Sequence, residues 1–185
     1  MTIPNYLPGA EKFVRKVPDG DNREHSVCHD CGWVHYVNPK VVVGAVCLLG
    51  EKVLLCRRAI EPRRGFWTIP AGFMEERETS EQGAAREAME EAGADIRVGQ
   101  LLAVYNIPRI SQVQLIYRAE MIRPDIAAGP ESLEVGYFDW DAIPWDELAF
   151  PSVRWALEQY RGVAGQASFP PFTNPPGDLG GATPA

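Results

Sequence analysis

Residues 72–94, GFMEERETSEQGAAREAMEEAGA, crowd glutamates and Arg86 around one short predicted helix, and this segment constrains the chain more than any other. Thr79 suits an N-cap, Gln82 three residues later completes a capping box, and Gly93 supplies a C-terminal stop. A helical period places Glu87, Glu90 and Glu91 on one face, with Ala85, Ala88, Met89 and Ala92 opposite. The apolar side is expected to dock on a core and leave three carboxylates pointing outward.

Such crowding is costly. Two carboxylates about 6 Å apart repel by roughly 1–3 kcal/mol at a surface-like effective dielectric. These also sit in the last turns of the helix, where the macrodipole disfavours negative charge. Arg86, four residues before Glu90, is expected to neutralise one acid and not three. A hard dication resolves the conflict, because carboxylate oxygens are what Mg²⁺ or Mn²⁺ prefers. A solvated acidic helix face is the competing explanation of a charge run.

The spacing runs further than the helix. Gly72 is followed after five residues by Glu78, and after seven more by Arg86-Glu87-Ala88-Met89-Glu90-Glu91-Ala92-Gly93-Ala94. This resembles the signature of the Nudix hydrolases, with every charged and glycine position filled and only alanines, Ala88 and Ala94, in its two hydrophobic slots. The resemblance covers residues 38–162. It implies an α/β fold, a Nudix α/β/α sandwich with a mixed sheet, preceded by a small N-terminal ribbon-like segment.

Three regions separate along the chain. Residues 1–37 are polar, carry all three histidines and two of the four cysteines, and form the ribbon-like segment. Residues 38–165 form the Nudix domain. Within it VVVGAVCLL and KVLLCRR read as a hairpin about Gly50-Glu51, with further strands expected at 95–98, 100–106, 112–122 and 135–140 and a second helix at 152–162. Residues 166–185, rich in Pro and Gly, are expected to be a flexible tail.

The net charge of -7 argues against non-specific nucleic-acid binding, so no nucleic-acid partner is expected. No apolar run reaches the length of a membrane span, and MTIPNYLPGAEKF lacks the basic start and apolar stretch of a secretory signal. Four cysteines without an export signal suit a reducing, cytoplasmic location.

By resemblance, Glu87, Glu90 and Glu91 are the metal-ligating carboxylates, joined by the carbonyl of Ala71. Arg86 orients them, and Glu78 supports them from the preceding loop. Gly72 is expected to let backbone approach metal or phosphate closely. The implied reaction is attack of a metal-activated water on one phosphorus of a diphosphate. Glu131 and Glu134, in or beside the loop 125–134, are the candidates for a further ligand or the general base. Phe66, Trp67, Tyr105, Arg57, Arg58 and Arg109 are candidates for stacking and anion contacts, with core packing the alternative for each aromatic. Of Arg57 and Arg58, strand alternation allows only one to face the site.

The stretches CHDCGWVHYVNPKVVVG, KVLLCRR, FWTIPAGF, GPESLEV and LAFPSVRWAL are similar to a Nudix subgroup acting on ADP-ribose and FAD. That subgroup opens with two Cys-x-x-Cys pairs binding zinc. Here only Cys28 and Cys31 remain, so Zn²⁺ is a candidate on those two thiolates with His25, His29 or His35 recruited, a spacing that matches no standard zinc motif, against a degenerate ribbon held by Trp33 and Tyr36. The resemblance also implies a homodimer, with LAFPSVRWALEQY as a candidate contact surface or simply core. The expected function is hydrolysis of ADP-ribose or FAD with release of AMP. The alternatives are a non-catalytic nucleotide-sensing module, or a hydrolase of NADH or another nucleotide.

Overall fold

The computed structural model describes residues 10–181, which divide between two compact units, Met1–Asn38 and Pro39–Ala185. Residues 1–9 of the N-terminal segment and 182–185 of the C-terminal tail lie outside the described residues.

The first unit is a three-stranded antiparallel sheet of β1 (Phe13–Lys16), β2 (His25–Cys28) and β3 (Val34–His35), in the order β1-β2-β3. Phe13 meets Trp33 edge-on at 5.8 Å, and His25 lies 4.7 Å from Tyr36, so aromatic contacts tie the three strands together.

The second unit is built on one mixed sheet. β4 (Lys40–Leu49) and β5 (Lys52–Arg58) form the expected hairpin, but only Leu48↔Val53 and Leu49↔Lys52 pair directly. Beyond those pairs the two strands part. β5 takes β6 (Trp67–Thr68) as partner, and β4 takes β7 (Ala71–Phe73), with Gly44↔Ala71 and Val43↔Gly72 in register. The helix α1 (Ser80–Ala92) follows. Next come β8 (Ile96–Ile107) and β9 (Gln112–Met121); β9 runs parallel to β4 and antiparallel to β8. β10 (Ser132–Phe138) closes the far edge, giving the order β10-β5-β4-β9-β8, and α2 (Pro151–Val163) follows with Pro151 at its first position.

Strand alternation explains the layers. Val43, Ala45 and Cys47 of β4 join Leu54, Cys56 and the α1 residues Ala84, Ala88 and Ala92 in one core. Val46 and Leu48 point to the other face and pack with Leu102, Tyr105, Trp155 and Leu157 under α2. The fold is therefore the expected α/β/α sandwich. α1 buries mainly alanines, and each methyl is worth only on the order of 0.8 kcal/mol. Its cap carries correspondingly more: Thr79 accepts from the Gln82 N–H and the Gln82 side chain accepts from the Thr79 N–H, while Gly93 closes the helix at φ 59°.

Two expectations change. The strands expected at 95–98 and 100–106 are one strand, β8, irregular between Val98 and Leu101 and again before Ala103. The glycine at 99 reads as a break but marks a bulge. Residues 166–181, expected to be a flexible tail, instead pack on the domain. Phe169 is buried, Phe172 exchanges backbone hydrogen bonds with Leu102 and Val104, and the Asn174 side chain pairs with the Asn106 backbone. The aromatics set among the prolines and glycines supply the anchors.

Candidate active site

The parting of β4 from β5 makes room for β7, and β7 lies beneath α1. Gly44 permits this approach, since a Cβ there would coincide with the Ala71 side chain. On α1, Glu87 and Glu91 share a face with Ala84, Ala88 and Ala92, and both are buried, 9% and 7% exposed. This corrects the expectation of three outward carboxylates: only Glu90 is largely exposed, and Met89, placed on the core face, is exposed too. Glu87 lies against β7, where a Cβ on Gly72 would fall on its carboxylate. The glycine thus leaves room for the acid above it in this position, a more specific reason than general backbone access. Glu91 accepts a hydrogen bond from the Ala71 N–H at 3.1 Å.

Arg86 spends all its donors here. Nε and Nη2 reach the two oxygens of Glu78 at 3.0 and 2.8 Å, Nη1 reaches Glu87 at 2.8 Å and Glu90 at 3.0 Å, and Nη2 also reaches the Phe73 carbonyl at 3.0 Å. It binds three acids, where the sequence suggested it could neutralise only one. The Arg86 hydrogen bonds, with one from the Glu75 N–H, hold the Glu78 carboxyl down at about 2. Burial raises Glu87, and Arg86 offsets this only in part. Glu91 lies beyond the arginine's reach, and burial pushes it up to about 8 despite the Ala71 N–H.

Two buried carboxylates, one without a charged hydrogen-bond partner, fit a hard divalent cation by donor chemistry. Among the described residues no three acidic, His or Cys side chains already converge as a ligand set, since Arg86 holds the oxygens of Glu87 and Glu90.

The acids stand at one side of a cleft of about 1070 Å³. Of the sequence candidates, Ala71, Gly72, Arg58, Arg109, Glu131, Arg86, Glu87, Glu90 and Glu91 line it. Glu131 is close enough to oppose ionisation of both Glu87 and Glu91. Glu78 stands behind the lining on Arg86. The remaining candidates lie elsewhere. Trp67 is buried edge-on to Phe138 at 4.8 Å, and Tyr105 is core, its hydroxyl 2.6 Å from Gln159 Oε1. Phe66 lies under the Arg63 guanidinium. Arg57 faces Glu134 across β5 and β10, with 3.6 Å between their charged atoms, and neither lines the cleft. Alternation settles the arginine pair for Arg58, whose guanidinium lies 5.1 Å over Phe150.

Sequence reasoning missed Phe150, Phe73, Arg63, Gln112 and Gln114, which all line the cleft. The signals were FWTIPAGF, which ends at Phe73, and LAFPSVRWALEQY, read as subunit contact or core. Ala149 to Val153 line the cleft, while Leu148, Trp155, Ala156 and Leu157 are core.

In the first unit Cys28 is buried and Cys31 exposed. Backbone N–H groups of Cys31 and Asp30 lower the Cys28 thiol. Two of the three nearby histidines are paired, His25 3.2 Å from Asp21 and His29 2.8 Å from Asp30; His35 packs by Trp33, and its buried Nε2 has no hydrogen-bond partner among the described residues.

A family model described as NUDIX domain matches residues 38–158, and one for the zinc ribbon described as Nudix N-terminal matches 9–37. An ADP-ribose pyrophosphatase of Methanocaldococcus jannaschii is 33% identical over 119 residues, 62% of this chain and 69% of that protein. The NAD-capped RNA hydrolase NudC of Stutzerimonas stutzeri is 32% identical over 138 residues, covering 72% of this chain but only 48% of the relative. The chain thus spans about half the length of that relative. A crystal structure of a NUDIX hydrolase from Nitrosomonas europaea superposes with a TM-score of 0.85 at 43% identity, covering 94% of this chain and 99% of the other.

Proposed function

The chain belongs to the Nudix hydrolase family, and from that premise we propose that it is a divalent-metal-dependent pyrophosphatase, using Mg²⁺ or Mn²⁺, that cleaves ADP-ribose or FAD and releases AMP. The observation that carries this reading is the placement of Glu87, Glu90 and Glu91 beside the Ala71–Gly72 strand at the edge of a cleft large enough for a two-part nucleotide.

Glu87, Glu90, Glu91 and the Ala71 carbonyl would hold the cation. What a cation supplies when bound is polarisation of the phosphoryl oxygens and a more acidic water. The chain's own residues do the rest. Arg86 fixes Glu87 and Glu90 through one hydrogen bond each, and two bonds to Glu78 and one to the Phe73 carbonyl fix Arg86. Arg58 and Arg109 offer positive charge to the diphosphate from the cleft wall. Glu131 takes the proton of the attacking water as the new P–O bond forms. One bridging P–O bond breaks, giving AMP and the phosphorylated second group as products.

NADH or an NAD-like end group is the second reading, favoured by the similarity to NudC. A sensing module is disfavoured because the acid cluster is intact. The Cys28–Cys31 pair supplies two of the four N or S ligands that structural zinc takes, and on the sequence's lack of a second pair we read the first unit as one that folds without it. We also keep the homodimer and the cytoplasmic location as proposals. Among the described residues no helix is long and apolar enough to cross a membrane. The test is incubation with Mg²⁺ or Mn²⁺ and a panel of ADP-ribose, FAD, NADH, diadenosine polyphosphates and nucleoside triphosphates. AMP from ADP-ribose or FAD supports the proposal; hydrolysis of nucleoside triphosphates alone overturns it.

A further inference from the structure

The cleft has a wall that the carboxylate chemistry does not use. Residues 169–174 run along β8, the edge strand of the sheet. The Phe172 N–H donates to the Leu102 carbonyl at 2.8 Å, and the Val104 N–H donates to the Phe172 carbonyl at 2.9 Å. Asn174 then continues the ladder with its side chain. Its Oδ1 accepts from the Asn106 N–H at 2.8 Å, and its Nδ2 donates to the Asn106 carbonyl at 2.9 Å and the Asp178 carbonyl at 3.0 Å. From α2, Gln159 secures the Thr173 carbonyl at 3.0 Å.

Protection of the exposed edge would be complete at Asn174. The chain nevertheless turns through Pro175-Pro176-Gly177-Asp178, with Asp178 accepting from the Gly180 N–H at 2.9 Å. That turn carries Gly180 and Gly181 into the cleft lining, beside Ile107 and Arg109. Gly180 holds φ 71°, and a Cβ there would stand 2.8 Å from Ile107 Cδ1. Only glycine reaches this position without moving the isoleucine. Two prolines and an internally bonded asparagine make the turn stiff.

We propose that residues 174–181 form a specificity wall of the cleft, which limits the space for the substrate group attached beyond the diphosphate. The proposal rests on the reading of the cleft as a nucleoside-diphosphate site. The wall contacts a compact second group such as a sugar and disfavours a bulky one such as a flavin.

Two variants test it against wild type with ADP-ribose and FAD. Truncation after Thr173 keeps Phe169 and Phe172 and removes the wall. The ratio of kcat/KM for ADP-ribose over FAD is expected to fall about tenfold, the scale on which shape contacts discriminate substrates. Gly181→Trp does the opposite by adding bulk, and a Cβ at Gly181 meets nothing within 4 Å among the described residues, so the fold should tolerate it. Its ratio is expected to rise. If circular dichroism shows the truncated chain unfolded, Gly181→Trp alone decides. An unchanged ratio in a folded variant overturns the wall. Wild type inactive on both substrates would defeat the hydrolase reading separately. Calorimetric affinities of the same proteins for ADP-ribose and FAD would then supply the ratio.

Discussion

Arg86 grips Glu78 through two hydrogen bonds, Nε to Oε2 at 3.0 Å and Nη2 to Oε1 at 2.8 Å, and through that grip Glu78 sets where the arginine points. The Glu78 carboxyl titrates near 2, below its ordinary 4.5. A depressed carboxylate stabilises the fold fully above its unfolded pKa, and that contribution is lost as pH falls through the folded one. Wild type should therefore lose stability between about pH 4.5 and pH 2 more steeply than Glu78→Gln. Thermal melts of both proteins across that range check it. Parallel curves would mean that the pair does not contribute.

Glu91→Gln separates chemistry from stability. Glutamine keeps an oxygen for the Ala71 N–H and removes a carboxyl that burial has pushed up to about 8. Above pH 8, where wild type carries the charge, the variant's Tm in chelator should match or exceed that of wild type, since a poorly compensated buried charge is gone. Turnover should fall by at least ~10²-fold, as expected for loss of a preorganised electrostatic contact, and the rise in Tm on adding Mg²⁺ should shrink. Glu90→Gln should also lose turnover. Wild-type rates in either variant would remove it from the mechanism.

Gly72→Ala is the sharpest steric test. The added methyl falls where the Glu87 carboxylate sits, so one of them must move. Overpacking of this kind costs about 1–3 kcal/mol. Activity should suffer far more than stability, because Glu87 is displaced toward its neighbours. Steady-state kinetics alongside a denaturant melt would show the imbalance; an active Gly72→Ala would mean that Glu87 need not hold this position.

The first unit should carry well under one equivalent of zinc when purified without added metal. Cys28 and Cys31 are the only cysteines in it, and the strands are held by Phe13, Trp33, His25 and Tyr36 instead. Metal analysis and a melt in EDTA check this. Stoichiometric zinc, or unfolding on chelation, would require ligands beyond the two thiols.

What the sequence made legible was local. Thr79, Gln82 and Gly93 announced the ends of α1, and the spacing of the glutamates announced the cluster, because caps and helical period are properties of neighbouring residues. What it hid was depth. A helical wheel cannot tell that alanines let α1 sit close to β7, close enough to bury Glu87 and Glu91 with them. Nor could it tell Arg57 from Arg58, since that depends on the β10 register that sets Glu134 opposite Arg57. The C-terminal segment misled for a related reason. Proline and glycine content reads as disorder, while Phe169, Phe172 and Asn174 act only against a strand far away in sequence.

The same register decides between the two candidate bases. Glu134 pairs with Arg57 away from the cleft, whereas Glu131 lines the cleft and lies near Glu87 and Glu91. A general base must reach the proton it takes, and on that ground we propose Glu131. Glu131→Gln should lower kcat by roughly 10²–10⁴-fold, the range for general base catalysis, with KM little changed. Glu134→Gln should leave kcat within about twofold and shift Tm only slightly, because an exposed ion pair is worth little. The pair of variants assayed together at saturating substrate gives the answer. Equal losses would mean that the loop moves as a unit on binding, and a loss confined to Glu134→Gln would move the base to the other face of β10.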